Sequence, residues 1–139
     1  MALFALASAS PLVLFGLGLW AGGFWAFAGL LYMTALAAVL DQITGLFMGD
    51  APEGAEFPAA DGLLFGLAIG HLIALPLIVW GVAGDSGLGG WQRAALFLGA
   101  GLWFGQVSNP MAHELIHRGN RVLYGLGGAV YSSLLFGHH

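Results

Sequence analysis

Cysteine and lysine are both absent from the 139-residue chain, and its only basic residues are Arg93, Arg118 and Arg121. Without cysteine the chain forms no disulfide, offers no thiolate nucleophile and holds no iron–sulfur or rubredoxin-like iron centre. Any redox chemistry must therefore take its electrons from another protein. Three arginines make no basic patch, which excludes nucleic acid as a partner. Charge of both signs is scarce, at 7% of residues against about 25% in soluble domains. Apolar residues make up 59% of the chain, and the mean hydropathy is +0.88. A water-facing globule is excluded on that composition, and lipid is the expected surroundings.

A helix that crosses a bilayer needs roughly 20 mostly apolar residues, and four segments qualify. The first runs from about Leu3 to Trp20 and includes Pro11, tolerable where neighbours satisfy the carbonyl it frees. Its start lacks the positive n-region of a secretory signal peptide, so it reads as a membrane helix. Ala21-Gly22-Gly23 makes a tight turn, and the second helix runs from Phe24 to about Met48 with one acid, Asp41. The third runs from about Gly62 to Ala83 and carries His71 and Pro76; the fourth begins near Trp91 and stays apolar to Gly105. Gly49 to Pro58, rich in Gly, Pro and acids, reads as a solvated loop, and Gly84 to Gly90 as a short turn. Val122 to Phe136 is apolar but only about 15 residues long, and dense in Gly and Ser. It fits an interfacial helix, a re-entrant segment or the first part of a span. The fold class that follows is all-α. It is a polytopic integral membrane helical bundle, one domain over residues 1–139, with about four transmembrane helices plus a short C-terminal helical segment. Arg118 and Arg121 place the end of the fourth helix in the cytoplasm, with the N-terminus and the acidic loop 49–61; Arg93 votes the other way.

His113-Glu114-Leu115-Ile116-His117-Arg118 follows the fourth apolar run directly. Residues four apart on a helix share a face, with Cβ atoms about 5–6 Å apart, so two imidazoles here can grip one metal ion. An unbroken helix from Trp91 to Arg118, roughly 28 residues, would extend about 42 Å, past a hydrocarbon core about 30 Å thick. The histidines would then project to the membrane boundary. Asn109-Pro110 allows a kinked helix, or a new one with Asn109 as N-cap and Pro110 in its first turn. In the unbroken version Asn109 shares the histidine face and is placed to hydrogen-bond a ligand. The segment also satisfies H-E-x-x-H, where two histidines bind zinc and the Glu is the general base of a protease. His138 or His139 would then have to serve as third ligand. Glu114 also stands four residues before Arg118, the favourable order for a helical ion pair worth a few tenths of a kcal/mol. A third reading makes the histidines structural, in a non-enzymatic membrane scaffold.

Asn109 to Arg118, then an apolar stretch, then Phe136-Gly137-His138, resembles the membrane alkane 1-monooxygenases. These belong to the fatty-acid-desaturase-like di-iron hydroxylases. That family carries such a histidine box on a transmembrane helix and a Y/F-G-H about twenty residues on. Leu31-Tyr32-Met33-Thr34 through Leu40-Asp41 and Gly45 also resemble its early helices. The resemblance implies His113 and His117 as ligands of a non-haem di-iron site, with zinc the second-choice metal. It implies terminal hydroxylation of alkanes with O₂, a rubredoxin-type electron donor, and a bacterial inner membrane with the site on the cytoplasmic side. It assigns no catalytic side chain beyond the ligands. His138 matches the histidine of Y/F-G-H, which is not among the family's usual ligands, and His139 stands where an aromatic is common. The remaining boxes are not in this chain, which reads as an N-terminal part, inert alone. Of the rest, His71 reads as a neutral histidine bonded to a carbonyl or, as the alternative, a metal ligand; Asp41 reads as a cap or a partner of Arg118 or Arg121; Leu102, Trp103 and Phe104 face a substrate route or, more commonly, lipid.

Overall fold

A computed structural model of the protein describes residues 2–47 and 59–136. Among them are six α-helices, one π-turn and no strand. The helices are α1 (Ala2–Ala21), α2 (Trp25–Phe47), α3 (Ala59–Ala83), α4 (Gly90–Trp103), α5 (Asn109–Ile116) and α6 (Arg121–Ser133); the π-turn is Phe104–Ser108. The all-α class therefore holds. Two helices are long and apolar enough to cross a membrane, Phe4–Ala21 in α1 and Ala60–Ala83 in α3. Of the four expected spans, these two are met on length and composition among the described residues. The described apolar stretch of α2 is Trp25–Val39, and α4, 14 residues from Gly90, runs on without a break into the π-turn and α5. α3 starts at Ala59 rather than Gly62, which puts Asp61 in its first turn, where the helix dipole favours an acid. Of the expected loop, residues 48–58 lie outside the described residues.

Small residues set how the helices meet. A Cβ on Gly18 would sit 3.1 Å from the Trp25 carbonyl, and Ser10 Oγ lies 3.0 Å from Tyr32 Oη, so α1 and α2 run antiparallel. Gly70 faces Leu12 and Gly81 faces Leu19, which makes α1 and α3 parallel. At Gly99 a Cβ would come within 2.8 Å of the Leu30 backbone nitrogen, seating α4 on α2 at backbone contact. The helices alternate in direction, and α4 also packs on α3. Their shared core holds Phe15, Met33, Leu96, Trp103, Leu115 and Val130.

Pro11 shows how the bundle repairs its own breaks. It has no N–H for the carbonyl of Ala7, and its ring crowds that turn. Tyr32 Oη donates to the Ala7 carbonyl at 3.3 Å, and Trp103 Nε1 donates to the Ser8 carbonyl at 2.8 Å. These two bonds tie α1 to α2 and to α4 beside the proline. Trp103 is fully buried, so it faces neither lipid nor a substrate route as expected from sequence; its indole N–H needs an internal acceptor.

The segment 122–136 is helical over α6 and packs within the bundle. Gly127 packs against Leu115, Ile116 and the Ala112 carbonyl, and Ser133 reaches His71 midway along α3. The segment therefore turns back beside α5 and packs against α3. Asn120 caps it, its side chain accepting from the N–H groups of Val122 (2.8 Å) and Leu123 (3.4 Å).

The outer surface is apolar: Phe4, Leu6, Val13, Leu31 and Ile73 are all more than half exposed. Water-soluble monomers rarely show so much contiguous apolar surface. Trp20 and Trp91, at 86% and 84% exposure, gather with Phe24, Trp25 and Trp80 at the end where α1 turns into α2 and α3 into α4. Aromatic side chains mark membrane–water interfaces in this way. Arg93 lies at the same end, but it donates to the carbonyls of Val82 and Leu88, each at 2.8 Å. Its charge is spent on a helix terminus. The opposite end carries Asp61, Glu114 and Arg118 with the histidine pair.

Candidate metal site

The helix that carries the histidines does not break at Asn109-Pro110. Asn109 is itself helical, at φ −66° and ψ −52°, and its N–H donates to the Phe104 carbonyl five residues back. Of the alternatives for Asn109-Pro110, the new helix capped by Asn109 is not formed, and α4 runs on into α5 through a π-turn. The turn absorbs Pro110, which could not have donated to the carbonyl four residues before it. It also resets the helix phase. Buried positions on α4 are Ala95, Leu96, Gly99, Ala100 and Trp103; the next is Ser108, five residues on, followed by Met111, Ala112 and Leu115. Without the extra residue the inward stripe would continue through Pro110, Glu114 and His117, burying ionisable groups. With it, Met111, Ala112 and Leu115 turn inward.

His113 and His117 consequently face outward, and both are exposed. Their rings are 4.7 Å apart between centroids and 81° to each other. Metal–nitrogen bonds of about 2.0–2.1 Å require only side-chain rotation from there, since neither ring is packed in place. Among the described residues no group of three or more His, Cys, Asp or Glu forms a metal-sized cluster. The pair is thus a partial donor set. Asn109, half-buried, lies one turn before His113.

Glu114 and Arg118 form the expected i,i+4 pair at 3.9 Å, and Asp61 of α3 adds a contact to Arg118 at 3.4 Å. All three are partly exposed, so together they contribute under about 1 kcal/mol. Beside them a cavity of about 510 Å³ opens among α1, α2, α3 and α5. Its walls include Phe4, Leu36, Leu64 and Met111, and its polar rim is Gln106, Glu114 and Arg118. Neither His113 nor His117 lines it, because they occupy the neighbouring face of α5.

His71 is fully buried and bonds two hydroxyls, not the carbonyl expected for it. Its Nδ1 is 2.9 Å from Ser108 Oγ and its Nε2 is 2.8 Å from Ser133 Oγ. Ser133 already donates to the Val130 carbonyl at 2.7 Å, so it accepts from Nε2–H, and Ser108 donates to Nδ1. The imidazole leans edge-on against Phe104, with centroids 4.9 Å apart, and stacks at 6.2 Å on Trp103. No buried side-chain polar atom among the described residues lacks a partner.

No protein-family model, curated protein or solved structure matches the chain. The functional reading thus rests on its own residues.

Of the residues singled out in the sequence, the structure brings together His113, His117, Glu114 and Arg118 at one end of the bundle. His138, His139 and the side chain of Asp41 lie outside the described residues. Sequence reasoning missed Asp61 as the partner of Arg118 and the two serines on His71.

Proposed function

We propose that the chain is part of a membrane alkane 1-monooxygenase, with His113 and His117 as two ligands of a non-haem di-iron site. One observation carries the reading. In a chain almost without charge, two imidazoles four residues apart are turned outward at the polar end of an apolar bundle, their rings 4.7 Å apart. Imidazole suits iron as it suits zinc. When bound, the iron supplies the O₂ activation that hydroxylating an unactivated C–H bond requires. The two histidines hold the metal; the reading requires the other ligands from elsewhere in the protein. The apolar outer surface lets a lipophilic substrate approach within the bilayer, and the polar end admits electrons from a rubredoxin-type donor and protons from water. Glu114 is engaged with Arg118, which supports a pairing role over that of a free general base and favours the hydroxylase over a zinc protease. We assign the membrane as a bacterial inner membrane, with four passes and the histidines on the cytoplasmic side.

The test is metal binding by the detergent-solubilised chain. His113→Ala and His117→Ala should each weaken Fe(II) or Co(II) binding at least tenfold, and the visible Co(II) spectrum should lose its nitrogen-ligand bands. Binding unchanged in both variants would remove the pair from any metal site.

A further inference from the structure

The π-turn decides which way the histidines face, and so the contacts that hold it matter. Hydrogen bonds in a π-turn are less well formed than those of an α-helix, and the turn persists where surrounding packing favours it. His71 touches both of its ends. Phe104, the first residue of the turn, lies edge-on to the imidazole, and Ser108, the last, donates to Nδ1 at 2.9 Å. On the other side Nε2–H donates to Ser133 of α6, the helix packed against α5 through Gly127.

We propose that His71 is a positioning residue: through Ser108 it holds the π-turn that presents His113 and His117 outward as a metal-binding face. The inference rests on reading that pair as metal ligands. If the turn relaxes to α-helix, the residues after it rotate by about 100° about the helix axis. The inward stripe would then fall on Glu114 and His117, and the metal face would be lost from the surface. A buried histidine far from the ligands in sequence would thus govern their direction without touching them.

The experiment measures that direction. The chain has no native cysteine, so Ile73→Cys on the exposed side of α3 takes a single nitroxide. Copper(II) is added to the detergent-solubilised protein, and pulsed EPR reads the distance from the metal to the label. In the parent protein one narrow distance is expected. In His71→Phe and Ser108→Ala it should shift or split by roughly 8 Å, from the rotation of a helix about 10–12 Å across. A nitroxide pair at Val13→Cys and Val39→Cys should keep its distance, showing the bundle intact. His71→Asn, whose Oδ1 can take the place of Nδ1, should restore the parent distance; His71→Gln, which reaches only toward Ser133, should not. An unchanged distance in both His71→Phe and Ser108→Ala overturns the proposal. Should His71→Phe fail to fold, Ser108→Ala decides alone. Copper that does not bind, or that binds equally to His113→Ala, sinks the metal reading instead. The turn is then read with nitroxides at His117→Cys and Ile73→Cys, where an unchanged distance again overturns the role of His71.

Discussion

At the residue scale, Glu114 separates two chemistries. In a zinc protease the carboxylate activates metal-bound water, so Glu114→Gln abolishes turnover while metal stays bound. In the hydroxylase reading Glu114 acts through Arg118, 3.9 Å away, and through the orientation of its neighbours. Groups that support a ligand without touching the metal typically contribute 10–100-fold in affinity or activity. Glu114→Gln should therefore leave measurable alkane hydroxylation in the active protein, with iron retained less firmly. Full iron occupancy with no detectable product would return weight to a catalytic carboxylate. The same substitution should change thermal stability little, by under about 0.5 kcal/mol, because the Glu114–Arg118–Asp61 contacts are open to solvent.

At the scale of elements, close backbone approach does the work that side-chain bulk does in soluble cores. Lipid is as apolar as a leucine core, so helices in a bilayer gain from contact area and tight packing instead. Gly99 is the tightest such place, with an added Cβ 2.8 Å from the Leu30 nitrogen and 3.2 Å from the Gly29 carbonyl carbon. Backbone cannot swing aside as a side chain can. Gly99→Ala should lower the detergent-solubilised stability by about 1–3 kcal/mol, read as a drop in Tm. Gly101, two residues on, has open space around an added Cβ. There Ala should be neutral or stabilise slightly, by up to about 1 kcal/mol, through helix propensity. Equal effects at the two positions would mean that α4 does not sit on α2 as described. Pro11 belongs to the same scale. That it would be tolerated was legible from the sequence, but which group answers the freed Ala7 carbonyl was not, since Tyr32 comes from another helix.

For the molecule as a whole, the contrast between its two ends is the main feature. One end gathers tryptophans, with Arg93 capping the carbonyls of Val82 and Leu88. The other holds Asp61, Glu114, Arg118 and the histidines. If the bundle crosses the membrane four times, the α3–α4 turn and the α5–α6 turn lie on opposite sides. With no native cysteine, single substitutions report this directly. Ser86→Cys should react with a membrane-impermeant maleimide on intact cells. Gly119→Cys should react only after permeabilisation. Labelling of both from the same side would exclude the four-pass arrangement, and the reverse pattern would invert the orientation drawn from Arg118 and Arg121.

Composition and periodicity alone determined the class of this protein: apolar helices, few charges, no cysteine, and a histidine pair spaced for one helix face. Those properties are local, because a helix satisfies its own backbone and i,i+4 neighbours meet whatever lies beyond them. The Glu114–Arg118 pair was legible for that reason. Among the described residues, two helices, in α1 and α3, meet the length and hydropathy of a span. Only the tertiary structure decided the facing of the histidines. Asn109-Pro110 permits a cap, a kink or a π-turn with similar local cost, and the sequence reads the first two most readily. Contacts from far along the chain meet the turn: His71 on the π-turn, Ser133 on His71, and Gly127 against α5. Such contacts are set by where whole helices pack, and no spacing within the histidine segment encodes them.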